Sequence, residues 1–421
     1  MAHWFHRNPL KATATQTFEL RAAATTPNAQ KICTELRHAR VQLLDLISNP
    51  NNEIMTMNQA AEKYFSLLPG FVTAMDDKGG DSKLRFALKF RWTNTLLGGT
   101  PVEIQDIVFE ICSMLMNIAL WFTKHAARLA SQDEPNMDEA KEVHKCLRKA
   151  AGIFSYVKEE WVTKLLEVPE KNSDLDSRVL AAYIHQCTAE AQEVTIARAI
   201  ELKHKSTIVS ALAYETAKLY TDADDSLNSL DEKVVLKWRK YLQFKTKIYY
   251  AYAYNYHGET ILAEDKCGEA IRCLQESKTD YEQSLVLGKD YSTQKGPGTT
   301  CRPHEHLFFR KLGPVVSRTL EKCVRENGFI YHQKVPPEAP ALQLQATYGL
   351  VAPEEFKIPD PNPLWTPDTY NAFNISLTPK PDPKEQKKAE EEEKKDLPPV
   401  KEADIPASNK DPNTFSGCVV S

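Results

Sequence analysis

The last four residues, Cys418-Val419-Val420-Ser421, set a thiol ahead of two aliphatic residues and a terminal Ser. That is the C-a-a-X pattern a prenyltransferase reads as a farnesylation address. The Pro/Lys/Glu-rich stretch before it offers the extended access a transferase active site requires, so a covalent farnesyl on Cys418 is the expectation. An unmodified or buried terminal cysteine is the bland alternative.

Other reactive residues do not assemble into a catalytic set. His304 and His306 flank Glu305, but residues two apart do not share a helix face, and no H-E-x-x-H motif is present. Gly296-Pro297-Gly298 lacks the frame of a phosphate-binding loop and reads as an ordinary loop. His185 and Cys187 diverge on one helix, which favours a polar face and a buried thiol over a base and nucleophile. Asp76-Asp77-Lys78-Gly79-Gly80-Asp81 resembles part of a calcium loop without its closing Glu. No catalytic residue, metal ligand or cofactor site is therefore predicted, and the chain reads as a non-enzyme. An active site assembled from distant residues is the remaining enzyme reading.

The elements that carry these residues are helical. From about residue 28 to 330, apolar residues recur at three and four. The spacing predicts helices over Ile32 to Ile47, Met57 to Leu68, Asp138 to Glu160, Ser177 to His204, Ile208 to Tyr220, Val234 to Tyr256, Leu262 to Lys278 and Leu307 to Glu326. A further long apolar helix carries Ile104 to Phe122 and is predicted to start just beyond Thr100-Pro101, a cap followed by proline at the first helical position. Strand signals are almost absent; the alternation Tyr250 to Tyr254 sits inside a helical pattern. Ala251 through Ser277 looks like a tetratricopeptide-type hairpin, its Tyr-rich helix leading through Gly258 into Gly268 to Gln275.

Beyond residue 335 prolines forbid long helices, yet Leu342, Leu344, Leu350, Phe356, Trp365 and Phe373 are too apolar for a free linker. An extended arm lying along the helical body is expected to about residue 377. Residues 378–417, with their Lys/Glu block and prolines, cannot bury enough apolar surface to offset chain entropy and are expected to form a disordered tether. The division is thus 1–377, 378–417 and the lipidation box 418–421.

Composition agrees with a core-bearing protein: 42% hydrophobic, 26% charged and a net charge of -4 give no electrostatic attraction for nucleic acid. Nine scattered cysteines without a C-x-x-C pair read as reduced thiols. The N-terminus lacks signal-peptide features, and the apolar stretch Ile111 to Phe122 is short of a bilayer span. A cytoplasmic monomer is expected, held peripherally on cytosol-facing membranes, endosomal or nuclear-envelope, by its lipid.

Several short motifs together resemble the Bro domain of Alix and its relatives. They are Phe90-Arg91-Trp92 before a Gly-Gly turn, Glu110 ahead of Asn117 and Ala119, Ala151-Gly152-Ile153-Phe154 running into Lys158-Glu159, Ala189 to Val194, and Gly268 to Gln275. The resemblance spans most of residues 1 to about 377. It implies an all-α, elongated, banana-shaped fold with a tetratricopeptide-like middle. It also implies a partner, the C-terminal amphipathic helix of an ESCRT-III subunit of the charged multivesicular body protein 4 type, on the concave face. Nothing resembles the coiled-coil V domain that follows in Alix. By the same resemblance Thr195, Arg198, Ile208 and Leu212 match the ligand-contacting patch, with Thr195 standing where an aromatic residue is frequent. An Ile and a Leu four apart more often pack a core than face a ligand; the resemblance alone assigns them to the groove. Lys145 and Lys149, one turn apart, would answer an acidic partner helix, although a solvated face is the commoner role for such a pair. The competing reading is a prenylated tetratricopeptide-like co-chaperone or general peptide binder.

Overall fold

The computed structural model describes residues 6–20, 22–76, 79–131, 136–299, 307–342, 345–377 and 395–403. Cys418 and the His304-Glu305-His306 run lie outside them. Helix α1 (Pro27–Ile47) starts under a Thr26 cap with proline in its first turn. It is followed by α2 (Ile54–Ser66) and the single turn α3 (Pro69–Val72).

A two-stranded antiparallel hairpin then pairs β1 (Phe90–Trp92) with β2 (Val102–Ile104), Phe90 opposite Ile104. This corrects the expected start of the long apolar helix, because Thr100-Pro101 opens a strand. The helix α4 (Ile107–Ala130) begins instead under Asp106, whose side chain accepts from the Val108 amide at 2.9 Å and is itself gripped by Arg85 at 3.0 Å. By length and composition α4 is apolar enough to cross a bilayer, with a mean hydropathy of 1.4, but its apolar window is wholly buried in the body. It is the central core helix.

Helices α5 (Met137–Tyr156), α6 (Ser177–Glu201), α7 (Ser206–Leu227), α8 (Glu232–Ala263), α9 (Cys267–Thr293) and α10 (Leu307–Glu326) follow, each packed mainly on its neighbours in the chain. Serial stacking of this kind extends a body in one direction, and the fold is all-α and elongated as expected. The Tyr250 to Tyr254 stretch is helical within α8. Gly258, however, does not mark the turn of the hairpin: it lies inside α8, where a Cβ would meet Leu274 Cγ at 3.0 Å. The turn falls at residues 264–266, with Asp265 in the left-handed region.

Residues 334–342 and 345–377 form the expected arm and run the body in reverse order of its helices. Lys334 lies on α9 at Gly268, Val351 and Gly349 on α6 at Gln192, and Glu354 on α5 at Gly152. Farther on, the Asn362 amide donates to Ser66 O at 2.7 Å, Trp365 Nε1 donates to Leu67 O at 3.0 Å, and Asn374 N reaches Ala23 O at 2.8 Å just ahead of α1. A short helix α11 (Pro367–Asn371) interrupts this last stretch.

The residues that carry the family resemblance hold this scaffold together. Glu110 accepts from Arg40, Tyr64 and Trp92 at 2.8, 2.7 and 2.6 Å. Asn117 clamps the backbone of Lys11 through both amide atoms. Glu190 pairs with Arg7 at 2.9 Å, and Glu193 with Lys245 at 2.8 Å, all in the dry interior. Charges so buried persist only when paired and hydrogen-bonded.

One expectation for the tail is corrected. Residues 395–403, within the stretch read as a free tether, lie against the body: Leu397 N donates to Gly99 O, Ala403 N to Ser48 O, and Glu402 pairs with Lys124 at 2.6 Å. Average composition forecast freedom, whereas a few side chains at matched positions supply the docking.

Candidate functional site

The amino end of α5, the carboxyl end of α6 and the amino end of α7 enclose a groove of about 770 Å³. Its geometry follows from local sequence. Asn136 starts α5 with a capping box, accepting from the Asp138 and Glu139 amides while Glu139 accepts from its own. Between α6 and α7, Lys203 takes a left-handed conformation that reverses the chain within a few residues. Ile208 and Leu212 are thereby laid beside Thr195, Arg198 and Glu201.

The floor is apolar, built from Val194, Ala199, Ile208, Leu212, Ala140 and Met137, and the rim carries Lys141, His144, Arg198, Glu201 and His204. The rim charges come in pairs: Lys141 meets Asp138 at 2.9 Å and Arg198 meets Glu201 at 3.3 Å. Burial and nearby Arg148 push the His144 imidazole below its ordinary pKa, so it is neutral at pH 7. An apolar strip edged by compensated charge suits the apolar face of an amphipathic helix.

Four of the six expected binding residues, Thr195, Arg198, Ile208 and Leu212, meet in this groove. Their exposure differs. Ile208 and Thr195 are half-buried and Arg198 is exposed, but Leu212 is only 2% exposed and belongs to the core as well as to the floor. Lys145 and Lys149 are corrected. The α5 face that lines the groove runs through Met137, Ala140, Lys141 and His144, and the next position on that face is Arg148, about 100° of helix away from Lys149. Lys149 donates to Asn58 at 2.6 Å and sits over the Phe122 ring, while Lys145 is exposed outside the groove.

The arm closes one end of the site. Gln192 donates to Gly349 O at 2.6 Å and accepts from the Val351 amide at 2.8 Å, and Arg148 donates to Ala352 O at 2.9 Å. These bonds set Tyr348 and Gly349 on the rim. Gly349 has a φ of +75°, and a Cβ there would lie 3.3 Å from Thr195 Cγ2 and 3.4 Å from Leu212 Cδ2. Thr195 therefore faces both the groove and the arm. Spacing marks α5 as a helix but not which of its faces meets the groove, and the arm's share was equally hidden, since nothing in the sequence pairs residue 349 with residue 195.

Among the described residues no three His, Cys, Asp or Glu side chains gather to hold a metal. The buried thiols are held up by desolvation, Cys33 to about 11 and Cys112 to about 12, which makes them poor nucleophiles.

A serial helical stack with a reversed arm and a groove at α5, α6 and α7 can be set against known proteins. The BRO1-like domain family matches residues 7–380. The chain belongs to that family. It is 54% identical over 382 residues to the BRO1 domain-containing protein BROX of Homo sapiens, covering 91% of this chain and 93% of that one. To BROX of Danio rerio it is 51% identical over 420 residues, with both chains covered fully. The BROX homolog of Caenorhabditis elegans is 42% identical, again over the whole of both. Among solved structures, a Bro1 domain studied for endosomal targeting superposes with a TM-score of 0.63 at 21% identity, covering 90% of this chain and 99% of that one. The ALIX BRO1 CHMP4C complex superposes with a TM-score of 0.62 at 21% identity over 85% and 98%. These two share the Bro1 fold with this chain.

Proposed function

We propose that this chain is a non-enzymatic adaptor. Its groove between α5, α6 and α7 receives the C-terminal amphipathic helix of an ESCRT-III subunit of the charged multivesicular body protein 4 type, and a farnesyl on Cys418 holds it peripherally on cytosol-facing membranes. The observation that carries the reading is the floor of Ile208, Leu212 and Val194 under a rim of paired charges. ALIX, a Bro1 relative, has been solved as a complex with CHMP4C, which supports the class of partner.

The peptide-binding co-chaperone reading is weaker on this geometry. A carboxylate clamp needs free Lys, Asn and Arg heads, but Asn136 spends its side chain on the α5 cap, and Lys141 and Arg198 face acidic partners. Titration with C-terminal helices of several ESCRT-III subunits, beside an acidic C-terminal pentapeptide of chaperone type, separates the two. Binding of the helices, lost in Ile208→Asp, is expected. Binding of the pentapeptide alone would overturn the adaptor reading.

The lipid is one of two membrane signals. A single lipid chain binds marginally, and residues 379–417 carry eight lysines against ten acidic residues, so the tail holds no polybasic second signal. Engagement of membrane-assembled ESCRT-III through the groove supplies the remaining avidity. In fractionation, Cys418→Ser is expected to be wholly soluble and Ile208→Asp partly released. Equal retention of wild type and Ile208→Asp, with the partner present, would mean that the lipid suffices.

A further inference from the structure

The segment Lys395-Asp396-Leu397-Pro398-Pro399-Val400-Lys401-Glu402-Ala403 has a dedicated seat on the body. At its start, Arg91 Nη2 donates to Lys395 O at 3.3 Å, Thr100 Oγ1 to Asp396 Oδ1 at 2.8 Å, and Leu397 N to Gly99 O at 2.8 Å. A Cβ at Gly99 would stand 3.1 Å from Leu397 O, so the small residue permits this approach. Pro398 and Pro399 keep the middle extended without requiring amide partners, and Val400 packs on the core. At the far end Glu402 is held on both oxygens: Oε1 accepts from the Leu10 amide at 2.8 Å and Oε2 from Lys124 Nζ at 2.6 Å. Ala403 N closes the contact on Ser48 O at 3.1 Å.

Lys124 explains why the seat wants an acidic occupant. Its side chain is 5% exposed with Glu402 in place. Burial and the nearby Arg7 push its ammonium below the ordinary lysine range, and Glu402 works against that shift. A nearly buried cation without a counter-ion is costly.

We propose that the surface formed by Gly99, Thr100, Leu10, Ser48 and Lys124 is an intramolecular docking site for the chain's own acidic tail, a latch that fixes where the C-terminal residues leave the body. For membrane binding the consequence is geometric and rests on the lipid reading of Cys418 given above. Cys418 lies 15 residues beyond Ala403 but 41 beyond Leu377. At about 3.4 Å per extended residue, docking cuts the maximal reach of the lipid from about 140 Å to about 50 Å. The tail then leaves the body beside the carboxyl end of α1, which keeps the lipid within about 50 Å of that point and biases that end of the body toward the membrane.

The latch is tested in the full chain carrying Cys418→Ser, which removes lipid from the question. Hydrogen exchange of the Leu10 amide is compared among this protein, its Glu402→Lys form and a form ending at residue 394. Both tail changes lie outside the helical core. The Leu10 amide is expected to exchange at least about tenfold faster in both, with the amides of α4 and α8 unaltered. Equal Leu10 exchange in all forms overturns the latch. In a second arm, farnesylated chains with and without Glu402→Lys are bound to phosphatidylcholine/phosphatidylserine vesicles. Protection around Ser48 to Asn52 is expected only in the chain with native Glu402. An identical protection pattern in both would overturn the orienting role. Failure of a protein farnesyltransferase to modify Cys418, with the Leu10 response intact, would overturn the lipid reading and leave the latch standing.

Discussion

Ile208 and Leu212 sit one turn apart on α7, yet they answer to different physics. Ile208 is half-buried on the groove floor and only flanks the core, so Ile208→Asp disturbs packing far less than a change at Leu212 while placing a charge where an apolar partner should land. The lost burial and the carboxylate's desolvation together are worth roughly 2 to 3 kcal/mol. Partner affinity should fall about 30- to 150-fold in a titration, with an unchanged circular dichroism spectrum. Leu212, 2% exposed beneath Gly349, is a core residue too. Leu212→Asp should lower stability by more than about 3 kcal/mol, visible as an early melt, so loss of binding in that variant would not report on the groove. Thr195 is the residue where resemblance and structure pull apart. An aromatic ring there would add apolar area, but Thr195 Cγ2 already faces Gly349. Thr195→Phe is therefore expected to lift the arm, read as faster exchange of the Val351 amide; an arm as protected as in wild type would show that the ring turns into the groove.

The arm is the element on which the site depends. It approaches α5 so closely that a Cβ on Gly152 would lie 1.7 Å from Glu354 O, and backbone cannot yield as a flexible side chain does. Gly152→Ala should thus cost about 1 to 3 kcal/mol and loosen residues 346–356, measurable as a lower Tm together with protease sensitivity in the arm. A Tm matching wild type would mean that the arm is not seated on α5 in solution. Gly152 was visible in the sequence as part of the Ala151 to Phe154 motif, but its purpose was not. The same holds for Glu110, Asn117, Glu190 and Glu193: they reveal the family because they hold the scaffold together, and none of them lines the groove.

Across the whole molecule, the N-terminal segment ties the stack together. His6 stacks near Trp238 and Tyr241, bonds Tyr291 and Asn8 at 3.1 and 3.0 Å, and burial lowers its pKa from 6.5 to about 3. The unfolded chain takes up that proton below pH 6.5 while the folded chain refuses it until about pH 3. Stability is therefore lost as pH falls through this window, by up to about 4 to 5 kcal/mol from this group. His6→Gln should be less stable than wild type at pH 7, with the gap shrinking toward pH 4 in denaturant titrations; a constant gap would show that His6 is not buried neutral. Periodicity in the sequence determined the helices, because a buried stripe must recur at the helical period wherever it packs. Proline placement and apolar anchors likewise determined an extended arm. The hairpin at Phe90–Trp92 and Val102–Ile104 was missed because three-residue strands carry too short a pattern. Only the tertiary structure decided which face of α5 meets the groove, that Leu212 lies beneath the arm, and that Glu402 finds Lys124. Those outcomes depend on contacts between residues far apart in the chain, and no local pattern encodes a partner hundreds of residues away.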